Sequence, residues 1–216
     1  MLIQDILFEA GPVSDSSVAK QSAYKTIAVM PGRYQPPHIG HLQMWQWLTD
    51  KFGDAYIATS DKVDPPRSPF NFAEKKSMFM HAGVPADHII NVKNPYVATE
   101  IVSKYPMDST VVVFAISEKD MAESPRFAFK PKKDGSPSYL QSYKENMGDL
   151  KPQSEHAYIA TVPTFKFNVN GSPMKSATEF RANFAQADDS TQAKMITDLY
   201  GTYSDQVHAL MKAKIV

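Results

Sequence analysis

Residues 30–41 of the chain read Met30-Pro31-Gly32-Arg33-Tyr34-Gln35-Pro36-Pro37-His38-Ile39-Gly40-His41. An apolar run at 27–29 precedes this stretch and favours a β-strand, and apolar residues with helical spacing follow it from 42 to 52. The stretch is therefore predicted to be a tight turn between a strand and the start of a helix. Such helix starts bind phosphate in α/β proteins, because free N–H groups and the positive end of the helix dipole point at the anion.

Two histidines and two glycines in this stretch suit a phosphate site. His38 and His41 are three positions apart, so one in the turn and one at the helix start can reach the same phosphate. Gly32 and Gly40 would let the backbone approach a ligand closely. No acidic residue lies between the histidines, which disfavours a zinc site there.

The composition limits the class of protein. The 216 residues are enough for one domain with a sizeable core. Lys plus Arg equal Asp plus Glu at 23 each, which argues against a nucleic-acid binder with its usual basic face. The absence of cysteine fits a reducing cytoplasm, and no apolar run approaches the roughly 20 residues of a membrane span, so no membrane contact is expected.

Residues 1–25 are predicted to be an N-terminal extension before a domain at 26–216. The extension contains five apolar residues that need a cover, which are Leu2, Ile3, Ile6, Leu7 and Phe8. Two interpretations stay open. The segment is either a short helix or loose tail belonging to the domain, or a docking segment for a protein partner or for a second copy of the chain.

Strand and helix patterns alternate through the domain. Strands are predicted at 54–59, 88–92, 110–116, 156–161 and 164–169, and helices start at Asn71, at Asn94 and near Ser176, with further helices to the C-terminus. This alternation predicts an α/β fold, a doubly wound, Rossmann-like parallel sheet with C-terminal helices. The β-branched run at 110–116 suits a central strand buried on both faces. Ligands of such sheets bind beyond the carboxyl ends of the strands, where the histidine turn is expected.

Residues 121–155 break the alternation. They contain Arg126, Lys130, Lys132 and Lys133, with prolines and a glycine between them. A long basic loop inside a compact domain is either a solvated excursion or a lid over a ligand, and both interpretations stay open.

Residues 174–181 read Met174-Lys175-Ser176-Ala177-Thr178-Glu179-Phe180-Arg181 and form a second candidate anion site. Ser176 and Glu179 have the spacing of a capping box, which predicts a helix start. The hydroxyls of Ser176 and Thr178, free N–H groups and Arg181 one turn later could surround an anion.

Both stretches resemble motifs of the HxGH nucleotidyltransferase superfamily, and the first is similar to the form found in archaeal-type nicotinamide mononucleotide adenylyltransferases. The resemblance covers most of residues 26–184. The second stretch resembles the Ser-x-Thr-x-x-Arg signature that binds the triphosphate tail, and its Met-Lys-Ser is similar to the Lys-Met-Ser-Lys-Ser loop of class I aminoacyl-tRNA synthetases. A Gly-x-Asp-like turn is frequent after the fourth strand of the family. Residues 117–120 lack that glycine. The resemblance implies a ribose or acceptor role for Asp120.

The resemblance implies transfer of AMP from ATP to a phosphate-bearing acceptor such as nicotinamide mononucleotide, with release of pyrophosphate and with Mg²⁺ bridging the phosphates. The catalytic residues would be His38, His41 and Arg181. The nucleotide would be bound by Gly32, Arg33, Tyr34, Gly40, Lys175, Ser176, Thr178 and Asp120.

Three alternatives remain beside this function. One is a cytidylyltransferase using CTP, although Gly-Arg-Tyr-Gln favours the adenylyl branch over the Gly-x-Phe-Asp of cytidylyl enzymes. Another is a pantetheine-phosphate adenylyltransferase of the same fold. A third is a non-catalytic nucleotide-binding or structural protein that docks through residues 1–25. A tRNA synthetase fragment is disfavoured by the short chain and its neutral charge.

Overall fold

A six-stranded parallel sheet dominates the computed structural model of the chain, which describes residues 24–123, 129–163, 165–174 and 176–216. The strands are β1 (Lys25–Pro31), β2 (Asp54–Thr59), β3 (Ile89–Asn91), β4 (Thr110–Ser117), β5 (Leu140–Ser142) and β6 (Ala157–Val162), in the spatial order β3-β2-β1-β4-β6-β5. A separate antiparallel hairpin pairs β7 (Asn168–Val169) with β8 (Ser172–Pro173). The helices are α1 (Ile39–Phe52), α2 (Phe72–His81), α3 (Thr99–Val102), α4 (Glu118–Glu123), α5 (Tyr143–Asn146), α6 (Ala177–Gln186), α7 (Asp189–Tyr200) and α8 (Asp205–Ile215). The predicted doubly wound sheet with C-terminal helices is confirmed.

The strand order reverses beside β1. The chain moves outward from β1 through β2 to β3 and then returns, so that β4 pairs with the other edge of β1, from Lys25 opposite Thr110 to Val29 opposite Phe114. The carboxyl ends of β1 and β4 therefore lie side by side, and the connections that follow them leave a crevice. Ligands of doubly wound sheets bind in that crevice.

β1 is buried on both faces of the sheet. Ile27 and Val29 pack on one face with residues of β4 and α3, and Ala28 and Met30 pack on the other with residues of α1 and α2. All four are at most 1% exposed. The first seven residues of β4 are buried as well, which confirms the prediction of a central strand.

The first two helices begin or end as the sequence predicts. Helix α1 starts directly after His38 and ends at Gly53, whose φ of 84° is one that glycine adopts without strain. At the start of α2, Oδ1 of Asn71 accepts a hydrogen bond from the N–H of Glu74 at 2.9 Å, and Oε2 of Glu74 accepts one from the N–H of Asn71 at 2.8 Å. This is the predicted capping box.

The C-terminal helices form a third apolar cluster. Residues of α6, α7 and α8 pack there against Phe70, which precedes α2, and against Met78 of α2. Nζ of Lys214 in α8 also lies 3.0 Å from Oε1 of Glu74 in α2. These contacts fix α6, which carries the second motif, relative to the sheet.

The predicted helix start at Asn94 is wrong. Oδ1 of Asn94 accepts a hydrogen bond from the N–H of Tyr96 at 3.0 Å, which forms an Asx turn instead of a helix cap. Ala98 then has a φ of 48°, in the left-handed region, and α3 begins only at Thr99. Local hydrogen bonding by the asparagine side chain replaces the first helical turn.

Two further stretches differ from their predictions. Within the strand predicted at 164–169, residues 165–167 are not strand, β7 holds the last two residues, and Thr164 lies outside the described residues. Residues 121–155 are not one loop, because β5, α5 and the end of α4 lie among them.

Parts of the predicted lid and extension lie outside the described residues. Arg126 lies outside the described residues, and the lysines at 130, 132 and 133 are exposed. A lid over the ligand therefore stays a prediction. Residues 1–23 of the N-terminal extension also lie outside the described residues. The two interpretations of this segment therefore stay predictions. None of the helices in the described part of the chain is long and apolar enough to cross a bilayer.

Candidate functional site

His38 and His41 stack on each other at the start of α1. Their ring centroids are 3.5 Å apart and the ring planes differ by 22°. Nδ1 of His41 accepts a hydrogen bond from the backbone N–H of His38 at 3.2 Å. In the neutral ring this bond assigns the proton to Nε2, so Nε2 is the nitrogen of His41 that can donate to a ligand.

Aromatic rings support the histidine pair from both sides. The ring of Tyr34 meets His41 edge-on at 4.7 Å, and Phe167 lies against His38 at 4.7 Å. Tyr34 is 7% exposed, and its hydroxyl donates to the carbonyl oxygen of Met30 at 2.7 Å. Its contribution to the site therefore passes through the ring of His41, and a contact of its own with nucleotide stays a prediction.

The protein environment keeps both imidazoles neutral. Burial lowers the pKa of His38 to about 3, and burial together with the neighbouring His38 lowers the pKa of His41 well below its usual range. Nδ1 of His38 is itself buried and has no hydrogen-bond partner among the described residues. At pH 7 the pair therefore offers neutral N–H donors to a phosphate rather than positive charges.

The glycines of the turn leave room for protein groups. A Cβ on Gly32 would lie 2.5 Å from Cζ of Tyr34. A Cβ on Gly40 would lie 3.2 Å from Nδ1 of His38 and 3.2 Å from the carbonyl oxygen of Phe165. Packing against the ring of Tyr34 thus excludes a side chain at Gly32, whereas a Cβ at Gly40 would need its neighbours to shift by a few tenths of an ångström. Both contacts are additional to the predicted approach of a ligand.

The second motif forms the start of α6. Oγ of Ser176 caps the helix by accepting a hydrogen bond from the N–H of Glu179 at 3.1 Å, as its spacing predicts. Ser176 and Thr178 are exposed, and Nη2 of Arg181 lies 3.5 Å from Oγ1 of Thr178. Lys175 lies outside the described residues, so its role stays a prediction.

Arg181 joins the two motifs across 146 positions of the chain. Its Nη1 donates to the carbonyl oxygen of Gln35 in the histidine turn and, at 3.3 Å, to that of Ala177. The side chain of Gln35 continues the connection, because its Nε2 donates to the carbonyl oxygen of Phe70 and its Oε1 accepts from the N–H of Phe70, both at 2.9 Å. Three segments therefore meet at Gln35, a residue that sequence reasoning missed although it lies inside the first motif.

The two arginines of the site are close, and neither has a carboxylate partner among the residues that the structure describes. Burial and the positive charge of Arg33 lower the pKa of Arg181. Every ion pair recorded for the described residues uses a lysine, so neither arginine is paired with a carboxylate there. Unpaired cations beside free N–H donors make this end of the sheet suited to an anion.

Asp120 follows β4 on the other side of the crevice. Oγ of Ser117 donates to its Oδ2 at 2.7 Å and accepts from its N–H at 3.1 Å. Burial raises the pKa of Tyr34, and the charges of Tyr96 and Asp120 raise it further. Asp120 is exposed, and its contact with a ribose or acceptor stays a prediction.

No group of three or more His, Cys, Asp or Glu side chains within the described ranges could hold a metal ion.

Known proteins are similar to parts of this chain in sequence and to most of it in fold. Residues 29–137 match a family model described as cytidylyltransferase-like. A stretch of 53 residues is 38% identical to nicotinamide-nucleotide adenylyltransferase 1 of Sulfolobus acidocaldarius, covering 24% of this chain and 30% of that enzyme. The crystal structure of a bifunctional NMN adenylyltransferase/ADP ribose pyrophosphatase from Francisella tularensis matches with a TM-score of 0.52 at 17% identity, over 88% of this chain and 49% of that one. The chain thus matches half or less of the length of these relatives, and the structural match supports the fold.

Proposed function

Because the chain belongs to the cytidylyltransferase-like family, we propose that it transfers AMP from ATP to a phosphate-bearing acceptor such as nicotinamide mononucleotide and releases pyrophosphate. The observation that carries this proposal is the contact of Arg181 with the carbonyl of Gln35, which brings the second motif to the histidine turn. The Sulfolobus relative and the Gly-Arg-Tyr-Gln form of the first motif support adenylyl over cytidylyl transfer.

In this proposal two helix starts divide the triphosphate between them. The start of α1, with His38 and His41, faces the α- and β-phosphates. The start of α6, with Ser176, Thr178 and Arg181, faces the β- and γ-phosphates. Both helices direct free N–H groups and the positive end of the helix dipole at the anion.

The chemistry needs no covalent enzyme intermediate. An oxygen of the acceptor phosphate attacks the α-phosphorus, a new P–O bond forms, and the bond from the α-phosphorus to the bridging oxygen breaks. Pyrophosphate leaves with that electron pair. The acceptor phosphate is already ionised at pH 7, so no side chain has to remove a proton. The protein contributes by positioning the two substrates and by stabilising the charge that develops in the transition state.

His41 and Arg181 have different tasks in this step. Nε2–H of His41 donates to a phosphate oxygen on which charge develops, and the neutral ring costs no proton exchange. The guanidinium of Arg181 holds the tail that becomes pyrophosphate. Its hydrogen bonds to two carbonyl oxygens orient the group before substrate arrives.

The residues present fit a Mg²⁺ ion that is carried by the triphosphate. Asp120 offers an exposed carboxylate beside the crevice, and hard cations prefer oxygen ligands. When bound, the ion would neutralise charge on the phosphate oxygens.

A screen of nucleotide and acceptor pairs tests the proposal. Pyrophosphate release is measured with Mg²⁺ for ATP and CTP, each combined with nicotinamide mononucleotide, pantetheine phosphate or phosphocholine. The expected result is release with ATP and nicotinamide mononucleotide, with the dinucleotide identified by mass spectrometry. Release with CTP and none with ATP would replace the adenylyl assignment by a cytidylyl one. Nucleotide binding without turnover would instead support the non-catalytic alternative.

A further inference from the structure

We propose that Gln35 is a positioning residue of the transfer reaction, whose side-chain amide holds the histidine turn at the distance from α6 that both phosphate sites require. This inference rests on the proposed function. Gln35 is 6% exposed, and both ends of its amide bond to the backbone of Phe70. Because the side chain is almost fully buried and its amide is directed at Phe70, we infer that it acts through its neighbours rather than by touching a substrate.

The contacts of Gln35 form a closed circuit, by which we mean the chain of contacts from Gln35 to Phe70, from Phe70 to Phe180, and from Arg181 back to Gln35. Its side-chain amide forms hydrogen bonds with the backbone of Phe70, a fully buried residue. The ring of Phe70 belongs to the same apolar cluster as Phe180 of α6. Phe180 immediately precedes Arg181, and Arg181 returns to the carbonyl oxygen of Gln35. Each link fixes the next, so the histidine turn and α6 share one frame of reference.

The circuit requires a side chain at position 35 that ends in both a hydrogen-bond donor and an acceptor. The backbone of Phe70 presents one donor and one acceptor, and a primary amide satisfies both at once. Methionine has a similar length and satisfies neither. An ionised glutamate accepts from the N–H of Phe70 but has no proton to donate to the carbonyl oxygen of Phe70, whereas a protonated glutamate can make both bonds, as glutamine does.

The chain contains a matched control at the opposite end of the sheet. Gln153 is 5% exposed, and its Nε2 donates to the carbonyl oxygens of Val102 and Tyr105 at 3.3 and 3.1 Å. Its backbone N–H donates to Thr110, the first residue of β4, so it is far from the carboxyl ends of the strands. Gln153→Met removes a buried amide of the same kind without touching the circuit.

The first experiment compares Gln35→Met with Gln153→Met. Both variants should lower the melting temperature, because each leaves buried backbone groups unpaired. Only Gln35→Met should lower kcat/KM for pyrophosphate release, by about tenfold or more, since small misplacements of substrate-binding groups reduce rates by that order. Only Gln35→Met should also raise the Kd of a non-hydrolysable ATP analogue, measured by calorimetry below both melting temperatures.

The second experiment uses Gln35→Glu and pH. Burial beside the carbonyl oxygen of Phe70 raises the pKa of the introduced carboxyl, and the N–H of Phe70 and the charge of Arg181 oppose that shift, so we expect the carboxyl to gain a proton as pH falls from 8 to 6. The activity of this variant relative to wild type should recover over that range, whereas the relative activity of Gln35→Met stays low at both ends. A side chain that contributes only to stability would show no such recovery in fully folded protein.

The outcomes separate this inference from the proposed function. If Gln35→Met is folded and its kcat/KM and analogue Kd stay within about twofold of Gln153→Met, Gln35 is not a positioning residue. If wild type releases no pyrophosphate with any pair, the transfer reaction is wrong, and the analogue Kd values still decide whether Gln35 orders the nucleotide site. A wild type that binds no nucleotide would overturn both.

Discussion

Nδ1 of His41 accepts a hydrogen bond from the backbone N–H of His38 while the two rings stack with centroids 3.5 Å apart. Protonation of Nδ1 would break that bond, and two positive rings at this distance would repel each other. The arrangement therefore stabilises the neutral pair and leaves Nε2–H of His41 as the donor that the proposed mechanism directs at a phosphate.

Acidification should destabilise the folded protein through this pair. The pKa of each histidine is near 6.5 in the unfolded chain and lower in the folded one, where that of His38 is about 3. Between these values the unfolded chain binds more protons, so the free energy of unfolding falls as pH falls, by at most about 1.4 kcal/mol per pH unit for each histidine. Urea unfolding at pH 7, 6 and 5 should show a steeper fall for wild type than for a His38→Asn, His41→Asn double variant. Parallel slopes would contradict the neutral-pair assignment.

His41 and Arg181 should differ in how their loss changes the kinetics. His41→Ala should lower kcat by about 10²–10³ with little change in ATP affinity, because it removes a donor aimed at developing charge. Arg181→Ala should weaken ATP binding as well, because in the proposed mechanism the guanidinium holds the triphosphate before and during transfer. Steady-state kinetics and calorimetry with ATP separate the two. A folded His41→Ala variant that keeps nearly full kcat would mean that the histidine turn is not catalytic.

Gly32→Ala should damage both stability and activity. The new Cβ would lie 2.5 Å from the ring of Tyr34, which supports His41. Displacing that ring should cost about 1–3 kcal/mol of unfolding free energy and lower kcat. Gly148→Ala is the control, because its Cβ would meet no atom within 4 Å, and its stability should stay within about 0.5 kcal/mol of wild type. Equal effects of the two substitutions in urea unfolding would refute the packing argument.

Lys75 should give the protein rising stability at alkaline pH. It is 1% exposed, and its Nζ donates to Oγ1 of Thr59 at 2.8 Å and to the carbonyl oxygen of Ser60 at 2.6 Å. Burial lowers its pKa from 10.5 to about 8, against the opposing charge of Asp61. Between pH 8 and 10.5 the unfolded chain holds the proton that the folded chain has lost, so the free energy of unfolding rises with pH in that window.

The measurement is the difference in unfolding free energy between wild type and Lys75→Met at pH 7.5, 8.5 and 9.5. The difference should shift in favour of wild type as pH increases, and tyrosines that titrate in both proteins cancel. A constant difference would show that the Lys75 ammonium keeps its ordinary pKa in the fold.

Local patterns in the sequence predicted the fold because they are decided by residues close in the chain. The capping box of Asn71 and Glu74 and the strand at 54–59 are such cases, and both are present. The Asx turn at Asn94 is the exception, since asparagine suits a helix cap and a turn equally and the competition is settled by the residues that follow.

The sequence predicted the two motifs, and the resemblance implied that both bind one nucleotide, but the contacts that join them could not be predicted. Gln35 contacts Phe70 across 35 positions of the chain and Arg181 across 146. The spacing of apolar and polar residues along the sequence does not predict contacts between residues so far apart. The contact of Phe167 with His38 likewise depends on where the chain returns after β6. Tertiary packing decides these contacts, and the structure was needed to find them.

The strand order also governs what a nascent chain exposes during synthesis. β1 can pair with β2 early, but its other edge has no partner until β4 has been made. Until then, the main-chain groups of a strand with Ile27 and Val29 on its face are open to pairing with other chains. Fragments that stop between β2 and β4 are therefore expected to aggregate, and the crevice comes into existence only when the central strand completes the sheet.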